Sequence, residues 1–287
     1  MLYSNSVIIP AQTSTMTLSE PTQDLADESM VSSISVIFPA YNEQLNIRKT
    51  VEQARAVLPE IAHRWEIIVV NDGSSDATAE ICDELAEEDS RIIAVHHQGN
   101  KGYGAALKSG IMAARNALVF FSDADGQFDL YELQEVVRYA NDFDIVAGYR
   151  GKRRDPLPRL INAWGWNTLV RCLLGVRVRD IDCAFKLFRR QVFEQVQIRA
   201  VGAMVNTEIL AQAKHFGMSI HEVKVTHFPR IHGKPTGANF GVILKAFREL
   251  FHLWWKLRAI DQDQAGLYER PATAPVPELR THALAAK

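Results

Sequence analysis

Five short apolar stretches, rich in β-branched and aromatic residues, alternate with segments of helical periodicity over the first half of the chain. After the first stretch, for example, Ile47, Val51, Ala54 and Leu58 recur at helical spacing. Apolar strands that alternate with helices are typical of a mainly parallel sheet covered on both faces. The sequence therefore predicts an α/β fold, with strands at 34–38, 67–70, 91–97, 118–121 and 144–147 and a helix at 133–139.

The 287 residues are enough for one large α/β domain or two small ones. The first 30 residues are rich in Ser, Thr and Gln, and the last segment is rich in Pro and Ala, which favours disorder at both ends. We expect a disordered leader at 1–32, a folded domain at 33–238, an amphipathic helix at 239–260 and a disordered tail at 261–287.

The composition is that of an ordinary globular protein, with 47% hydrophobic and 23% charged residues and a formal net charge of -2. This balance gives no reason to expect a nucleic-acid partner. No apolar run approaches the roughly 18–20 residues that span a bilayer. We therefore expect a cytoplasmic protein, either free or bound peripherally to the inner face of the membrane.

Polar, loop-forming residues follow three of the predicted strands at the points where these strands end. They are Tyr41–Glu43, Asn71–Asp76 and Ser122–Gln127. Ligands of open parallel sheets collect at the carboxyl ends of the strands, which share one edge. We therefore expect the three clusters to converge on one crevice.

Asp123 and Asp125 are separated by one small residue directly after an apolar strand. Once the chain turns, both carboxylates can face one cation. Such oxygens suit Mg²⁺ or Mn²⁺, which also take ligands from a diphosphate, and Gln127 can add a neutral oxygen. The alternative is that the two aspartates cap the following helix and fill a turn.

Two other loops suit a nucleotide. Asp72 lies at a strand tip before a glycine, where its carboxylate can accept from the imide N–H of a nucleobase, although Asp76 also makes a good helix start. The loop 98–104 opens a helix, so its backbone N–H groups and Lys101 can hold an anion. The alternative for this loop is a glycine-rich turn without a ligand.

Two basic clusters lie outside these loops. The first contains Arg150, Lys152, Arg153, Arg154 and Arg159, and the second contains Arg230, His232 and Lys234. Beside the crevice they suit a pyrophosphate or an anionic acceptor. Solvated basic loops are the alternative.

Together, these clusters resemble the family 2 glycosyltransferases of the GT-A fold, which is Rossmann-like. The resemblance runs from Ile34 to about Lys234, and the ordered set is more specific than any one motif. The motifs that carry it are Phe38–Glu43, Val70–Asp76, Asn100–Gly102 and Asp123–Gln127. Within that family the chain is similar to the polyprenyl-phosphate sugar transferases, the dolichol-phosphate mannose synthase type, at Ala147–Arg150, Asp180–Phe188, Arg230 and Gly233–Lys234.

The resemblance implies a role for each matching residue. Donor binding is implied for Pro39, Tyr41, Glu43 and Asp72 on base and ribose, for Lys101 on phosphate, and for Asp123, Asp125 and Gln127 on the metal and diphosphate. Arg150, Arg159, Arg230 and Lys234 would hold phosphates of donor or acceptor. Catalytic roles are implied for Asp125 and Arg150, and for Asp180 or Asp182 in orienting the acceptor.

The sequence departs from the family pattern at two of these motifs. Asp180–Phe185 reads D-I-D-C-A-F where D-P-T-S-G-F is usual, which makes Asp182 a second candidate beside Asp180. Gly233–Gly237 differs from the usual G-S-K, which weakens the case for Lys234.

The implied activity is inverting, metal-dependent transfer of a hexose from GDP-mannose, UDP-glucose or UDP-GlcNAc to a polyprenyl phosphate. One alternative is transfer to a soluble or protein hydroxyl, which needs a base within hydrogen-bond reach. Another is a catalytically silent nucleotide-binding protein. The glycine pattern disfavours a nucleotide-dependent oxidoreductase, and the absence of Q-x-x-R-W speaks against a processive synthase.

Two segments suggest contact with a membrane or a partner. Val242–Arg258 carries Ile243, Phe247, Leu250, Trp254 and Leu257 on one helical face, and 160–174 carries Trp164 and Trp166. Trp with Lys or Arg on an amphipathic helix is the pattern of an interfacial binder. The alternative is packing on the domain, on a membrane protein or on a second copy of the chain.

Overall fold

The computed structural model describes residues 30–151, 157–229 and 240–264, with the backbone alone at 157–163, 240–245 and 259–264. The strands are β1 (Val31–Ala40), β2 (Ala62–Asn71), β3 (Ile92–His96), β4 (Leu118–Ser122), β5 (Ile145–Arg150), β6 (Phe185–Arg189) and β7 (Ile220–Val225). The α-helices are α1 (Ile47–Ile61), α2 (Thr78–Glu88), α3 (Tyr103–Ala113), α4 (Leu133–Val137), α5 (Leu157–Leu174), α6 (Val192–Gln195), α7 (Val205–His215) and α8 (Phe240–Gln264). A 3₁₀ turn, Leu130–Glu132, precedes α4.

The seven strands form one sheet in the order β3-β2-β1-β4-β6-β5-β7. β6 runs antiparallel to both of its neighbours, and every other neighbouring pair is parallel. Six strands therefore end, and β6 begins, at the same side of the sheet, which we call the carboxyl edge.

Helices cover both faces of this sheet, as its apolar strands predict. Neighbouring residues of a strand point to opposite faces, so Phe38 packs with α1, α2 and α4, whereas Ile37 packs with α3, α5, α7 and α8. The same alternation places Phe120 in the first core and Phe121 in the second. The predicted mainly parallel α/β architecture is confirmed.

Two sequence-based assignments differ from the structure. The helix predicted at 133–139 ends at Val137, because the N–H groups of Tyr139 and Ala140 turn to i–3 carbonyl oxygens instead of continuing the α-helix. The sequence pattern also predicts neither β6 nor β7, since Lys186, Arg189 and the alternating residues of β7 interrupt their apolar character.

The carboxyl-terminal helix packs on the domain. Leu250, Leu253 and Leu257 of α8 are at most 8% exposed and belong to the second core, whereas Phe247 is 38% exposed. No helix in the described part of the chain is long and apolar enough to cross a membrane. The predicted leader at 1–32 and tail at 261–287 lie almost wholly outside the described residues.

A pair of helical glycines tests the packing of α3 on the sheet. A Cβ added at Gly110 would lie 2.3 Å from Cγ2 of Ile37, whereas one added at Gly165 of α5 meets nothing within 4 Å. We predict that Gly110→Ala lowers the free energy of unfolding by about 1–3 kcal/mol through overpacking. Gly165→Ala should raise it by about 0.5–1 kcal/mol through helix propensity. Chemical denaturation measures both, and equal shifts in the two variants would contradict the close packing of α3.

Candidate active site

The loops after β1 and β2 are joined by direct hydrogen bonds at the carboxyl edge. The N–H of Asn42 donates to Oγ of Ser74 at 2.9 Å, and Oδ1 of Asn42 accepts from the N–H of Ser75 at 2.8 Å. Asn42 has a φ of 57°, in the left-handed region that Asn tolerates better than most residues. The two predicted clusters therefore form one surface.

The residues predicted to bind base and ribose lie on or beside this surface. Pro39 is buried near the end of β1, and Tyr41 is 42% exposed. The carboxylate of Glu43 is half-buried and accepts from Nδ2 of Asn46 at 2.7 Å. Their roles in donor binding stay predictions.

Asp72 is 3% exposed, and its carboxylate has three contacts within the protein. Its oxygens accept from the backbone N–H groups of Lys101 at 2.9 Å and Gly102 at 2.8 Å. Nδ1 of His97 lies 2.6 Å from Oδ1 of Asp72, and Nε2 of His97 lies 2.9 Å from Oγ of Ser109. A carboxylate has about four acceptor positions, so three contacts still permit one bond to a base.

The glycine-rich loop after β3 is fixed by these contacts with Asp72 and by close backbone contacts with Gly73 and Val201. A Cβ at Gly73, whose φ is +67°, would lie 2.3 Å from the backbone of Gly99. The N–H of Gly104 donates to the carbonyl of Val201 at 2.9 Å. The N–H groups of Lys101, Gly102 and Gly104 are thus used within the protein, whereas the side chain of Lys101 is exposed and can face an anion.

The loop after β4 carries the paired aspartates. Asp123 is half-buried and Asp125 is 6% exposed. Oδ1 of Asp125 accepts from the N–H of Gln127 at 3.0 Å, and Gly126 reverses the chain with a φ of 70°. The carbonyl of Ala124 accepts from Oγ1 of Thr50 in α1 at 3.2 Å. The loop is therefore fixed at its centre and at its turn.

Gln127 links this loop to the segment after β7. Its Nε2 donates to the carbonyl of Phe228 at 2.9 Å, and the N–H of Phe228 donates to the carbonyl of Gln127 at 2.7 Å. Arg230, the first residue of the second basic cluster, follows two residues later in the sequence. Arg230 and Lys234 lie outside the described residues.

Tyr103, the first residue of α3, lies beside the aspartates. Its hydroxyl oxygen is buried, and its nearest acceptor is the carboxylate of Asp123, although the pair falls outside strict hydrogen-bond geometry. Burial, followed by the negative charge of Asp123, raises the pKa of Tyr103 well above its ordinary value. The hydroxyl therefore stays protonated and is a donor next to the carboxylate pair.

Arg150 and Asp180 form a buried ion pair on the other side of β4. Nε of Arg150 donates to Oδ2 of Asp180 at 2.6 Å and Nη2 donates to Oδ1 at 2.8 Å, with side chains 11% and 6% exposed. Burial lowers the pKa of Arg150, but the bonds and charge of Asp180 outweigh burial, so this pKa is raised overall. Removing one partner of such a pair costs about 3–5 kcal/mol.

Lys186 of β6, which is fully buried, binds the loop that carries Asp180. Nζ of Lys186 donates to the carbonyls of Ile181, at 3.1 Å, and of Cys183. Burial lowers the pKa of this ammonium, while nearby carboxylates oppose the shift. Asp182, in the same loop, is exposed.

The paired aspartates suit a divalent cation that also binds a diphosphate. Carboxylates are the hard oxygen ligands that Mg²⁺ and Mn²⁺ prefer. Among the described residues no three His, Cys, Asp or Glu side chains cluster as a complete metal cage. Mg²⁺ sites commonly use one or two carboxylates and complete the shell with substrate phosphates and water, which fits Asp123 and Asp125.

Comparison with known families identifies the chain. The model of Glycosyl transferase family 2 matches residues 35–197, more than half of its length. The chain belongs to glycosyl transferase family 2. The matched region of this family 2 glycosyltransferase runs from β1 to β6 and includes the loops after β1, β2, β3 and β4 and the loop that carries Asp180.

Curated relatives of this glycosyltransferase include two named for polyprenyl-phosphate substrates. Dodecaprenyl-phosphate galacturonate synthase of Rhizobium johnstonii is 30% identical over 251 residues, covering 83% of this chain and 72% of the relative. Undecaprenyl-phosphate 4-deoxy-4-formamido-L-arabinose transferase of Pectobacterium carotovorum is 31% identical over 234 residues, covering 79% and 67%.

A solved structure supports the GT-A fold. Glucosyl-3-phosphoglycerate synthase from Mycobacterium tuberculosis in complex with UDP has a TM-score of 0.62 and 19% identity, covering 85% of this chain and 88% of that chain. That enzyme has also been crystallised with Mn²⁺ and UDP-glucose and with Mg²⁺ and UDP.

The sequence pattern does not single out His97, Tyr103 or Lys186, although Tyr103 and Lys186 lie within the predicted loop 98–104 and the motif Asp180–Phe188. Each acts through a residue at least 3 positions away, and for His97 the partner Asp72 is 25 positions away. Two features of the sequence could have indicated them. His97 is the second of two consecutive histidines at the end of the predicted third strand, and Lys186 lies between two apolar residues. Arg159 lies in α5, where its side chain is outside what the structure describes.

Replacing His97 tests whether its contact positions Asp72 for the donor. We predict that His97→Ala weakens binding of the nucleotide sugar by about tenfold, because one charge-assisted hydrogen bond of about 1.5 kcal/mol is lost. The KM for the donor should rise while kcat changes little. His63→Ala, at the opposite edge of the sheet, is the matched control. A fall in kcat at constant KM would contradict a positioning role.

Proposed function

We propose that this chain transfers a hexose from a nucleotide-diphosphate sugar to a polyprenyl-phosphate type lipid, with inversion and with a divalent metal. The observation that carries the proposal is the site itself: Asp72 and the Asp123–Asp125 pair on one side of the carboxyl edge, and the Arg150–Asp180 pair on the other. The names of the two relatives support the lipid phosphate.

The donor is proposed to bind between the loops of β1, β2 and β4. Pro39, Tyr41, Glu43 and Asp72 would contact base and ribose, and Lys101 the phosphate. GDP-mannose, UDP-glucose and UDP-GlcNAc all suit these side chains. Asp123 and Asp125, with Gln127, would hold Mg²⁺ or Mn²⁺, which supplies Lewis-acid stabilisation of the leaving diphosphate.

The acceptor side favours a nucleophile that is already ionised. A hydroxyl acceptor needs a base to take its proton, but both oxygens of Asp180 accept from the guanidinium of Arg150. Asp180 is therefore already engaged in an ion pair. A phosphate monoester is largely ionised near neutral pH and needs only to be oriented, by Asp180 through Arg150 or by the exposed Asp182.

In the proposed reaction, an oxygen of the lipid phosphate forms a bond to the anomeric carbon as the bond from that carbon to the diphosphate breaks. The products are a lipid-phosphate sugar and a nucleoside diphosphate. Asp72 fixes the base end of the donor and the Tyr103 hydroxyl donates toward the Asp123 side of the site. Arg150, Arg159, Arg230 and Lys234 are proposed to contact phosphates.

A lipid acceptor places the reaction at a membrane surface. We propose that the chain works as a peripheral protein on the inner face of the membrane, alone, as an oligomer or with a membrane-protein partner. The exposed aromatic residues of α8 support surface contact.

Donor binding is tested by a thermal-shift panel of GDP- and UDP-sugars with and without Mn²⁺. We predict that one nucleotide class, at about 100 times its Kd, stabilises the protein by about 2.7 kcal/mol, or roughly 5–10 °C. The metal-dependent part should disappear in Asp125→Asn and persist in Asp142→Asn, an exposed control outside the site. Metal-independent binding in the wild type would contradict the metal role.

The acceptor is tested by comparing a short-chain isoprenyl phosphate with the corresponding isoprenol. We predict transfer to the phosphate and not to the alcohol. Asp182→Asn should lower kcat by about tenfold or less if it orients an ionised nucleophile, whereas loss of a general base costs on the order of 100–10,000-fold. Efficient transfer to the alcohol, abolished by Asp182→Asn, would favour the alternative hydroxyl-acceptor reaction.

A further inference from the structure

One flank of α8 exposes large aromatic side chains to solvent. Phe247, Phe251 and Trp255 are 38%, 51% and 72% exposed. They are spaced four residues apart, so they lie along one side of the helix. This aromatic stripe is distinct from the row Leu250, Leu253 and Leu257 that fixes α8 to the second core.

The same part of α8 is positively charged. Between Ala246 and Arg258 the chain has three basic residues, Arg248, Lys256 and Arg258, and one acidic residue, Glu249. The guanidinium of Arg258 lies 4.2 Å above the ring of Trp254, which neighbours Trp255. The cationic group of Arg258 therefore borders the aromatic stripe.

A small cavity continues this surface. It has a volume of about 160 Å³ and lies between α5, α7 and α8. Lys214, His215 and Arg258 supply its polar lining, Leu173 and Trp254 part of its apolar lining, and no described residue that lines it is acidic. Arg258 and Trp254 belong to both the cavity and the border of the stripe. A cation-lined cavity with apolar walls fits a phosphate group attached to a hydrocarbon chain.

The position of the stripe suits access to the active site. Trp166 of α5 contacts Phe247 at 5.8 Å between ring centroids, and Leu173 shares the cavity with Trp254. The two helices therefore run side by side in the same direction. Because α5 follows the carboxyl end of β5, the Phe247 end of the stripe is the end nearer the site.

We propose that this surface docks on an anionic phospholipid leaflet. Phe251 and Trp255 enter the headgroup region, and Lys214 and Arg258 bind a lipid phosphate in the cavity. Aromatic rings with Lys and Arg on one helix are the composition of interfacial binders, and an anionic leaflet attracts such basic groups. The positive border favours this occupant over a second copy of the chain, whose matching surface would carry the same charge. The proposal rests on the proposed function in that it assigns the surface from which the lipid acceptor is reached.

Vesicle flotation tests the docking surface without any polyprenyl phosphate. We expect the wild type to float with phosphatidylcholine vesicles that contain phosphatidylglycerol, and at least about tenfold less with phosphatidylcholine alone. Phe251→Ser with Trp255→Ser should reduce binding by about tenfold or more, and Lys214→Glu with Arg258→Glu by a similar factor. Met112→Ser and Lys108→Glu on α3 replace an exposed apolar and an exposed basic residue elsewhere and serve as matched controls.

A measurement on the wild type complements the variants. Brominated lipids should quench its tryptophan fluorescence in anionic vesicles, and absence of quenching would overturn the insertion of Trp255. Unchanged flotation of the aromatic variant would also overturn the proposal. So would absence of wild-type flotation together with a concentration-dependent dimer that the aromatic variant loses, since the surface would then join two copies.

The activity of the same variants separates this proposal from the proposed function. Transfer to a water-soluble isoprenyl phosphate should be unchanged, within about twofold, in both docking variants, whereas transfer to a vesicle-borne acceptor should fall with flotation. Failure of the wild type to use either acceptor would contradict the proposed function. The flotation result would then still test the docking surface, because it does not depend on transfer activity.

Discussion

The buried carboxylate of Asp72 organises the donor side of the site. A charge that is 3% exposed must be compensated by hydrogen bonds, and it is compensated by two backbone N–H groups of the β3 loop and by His97. The loop can present those N–H groups because Gly73, which has no Cβ, lets the backbone of Gly99 come close. The next residue after this clamp is Tyr103, whose hydroxyl reaches the Asp123 side. One buried charge thus couples the loops of β2, β3 and β4.

A second set of buried charges organises the acceptor side, and it depends on the antiparallel β6. Because β6 starts at the carboxyl edge, the loop before it brings Asp180 next to Arg150 at the end of β5. Lys186, inside β6, binds the carbonyls of that loop from the core. Buried ion pairs contribute little net stability but are costly to break, by about 3–5 kcal/mol. Their consequence here is a loop that is held by Arg150 on one side and by Lys186 on the other.

The sequence predicts those parts of the fold and site that depend on local pattern. β1, β2 and β4 are continuous apolar runs, and the loops that follow them contain the aspartates, so both the parallel sheet and the convergence of its loops follow from order along the chain. The same pattern does not predict β6, because a lysine in a sequence indicates a surface position whereas Lys186 is buried. The ion pair between Asp180 and Arg150 is not predictable from the sequence either, since the two residues are 30 positions apart and a long helix lies between them.

The charge on the two sides of the carboxyl edge also limits which residues can neutralise an acceptor phosphate. On the β4 side, Asp123 and Asp125 carry excess negative charge, which a divalent cation would offset before a diphosphate binds. On the β5 side, Arg150 is already neutralised by Asp180. The proposed phosphate acceptor therefore requires positive charge beyond Arg150. In sequence, that charge follows β5 at Lys152–Arg154 and follows Phe228 at Arg230. Phe228, two residues before Arg230 in the sequence, is hydrogen-bonded to Gln127 of the aspartate loop.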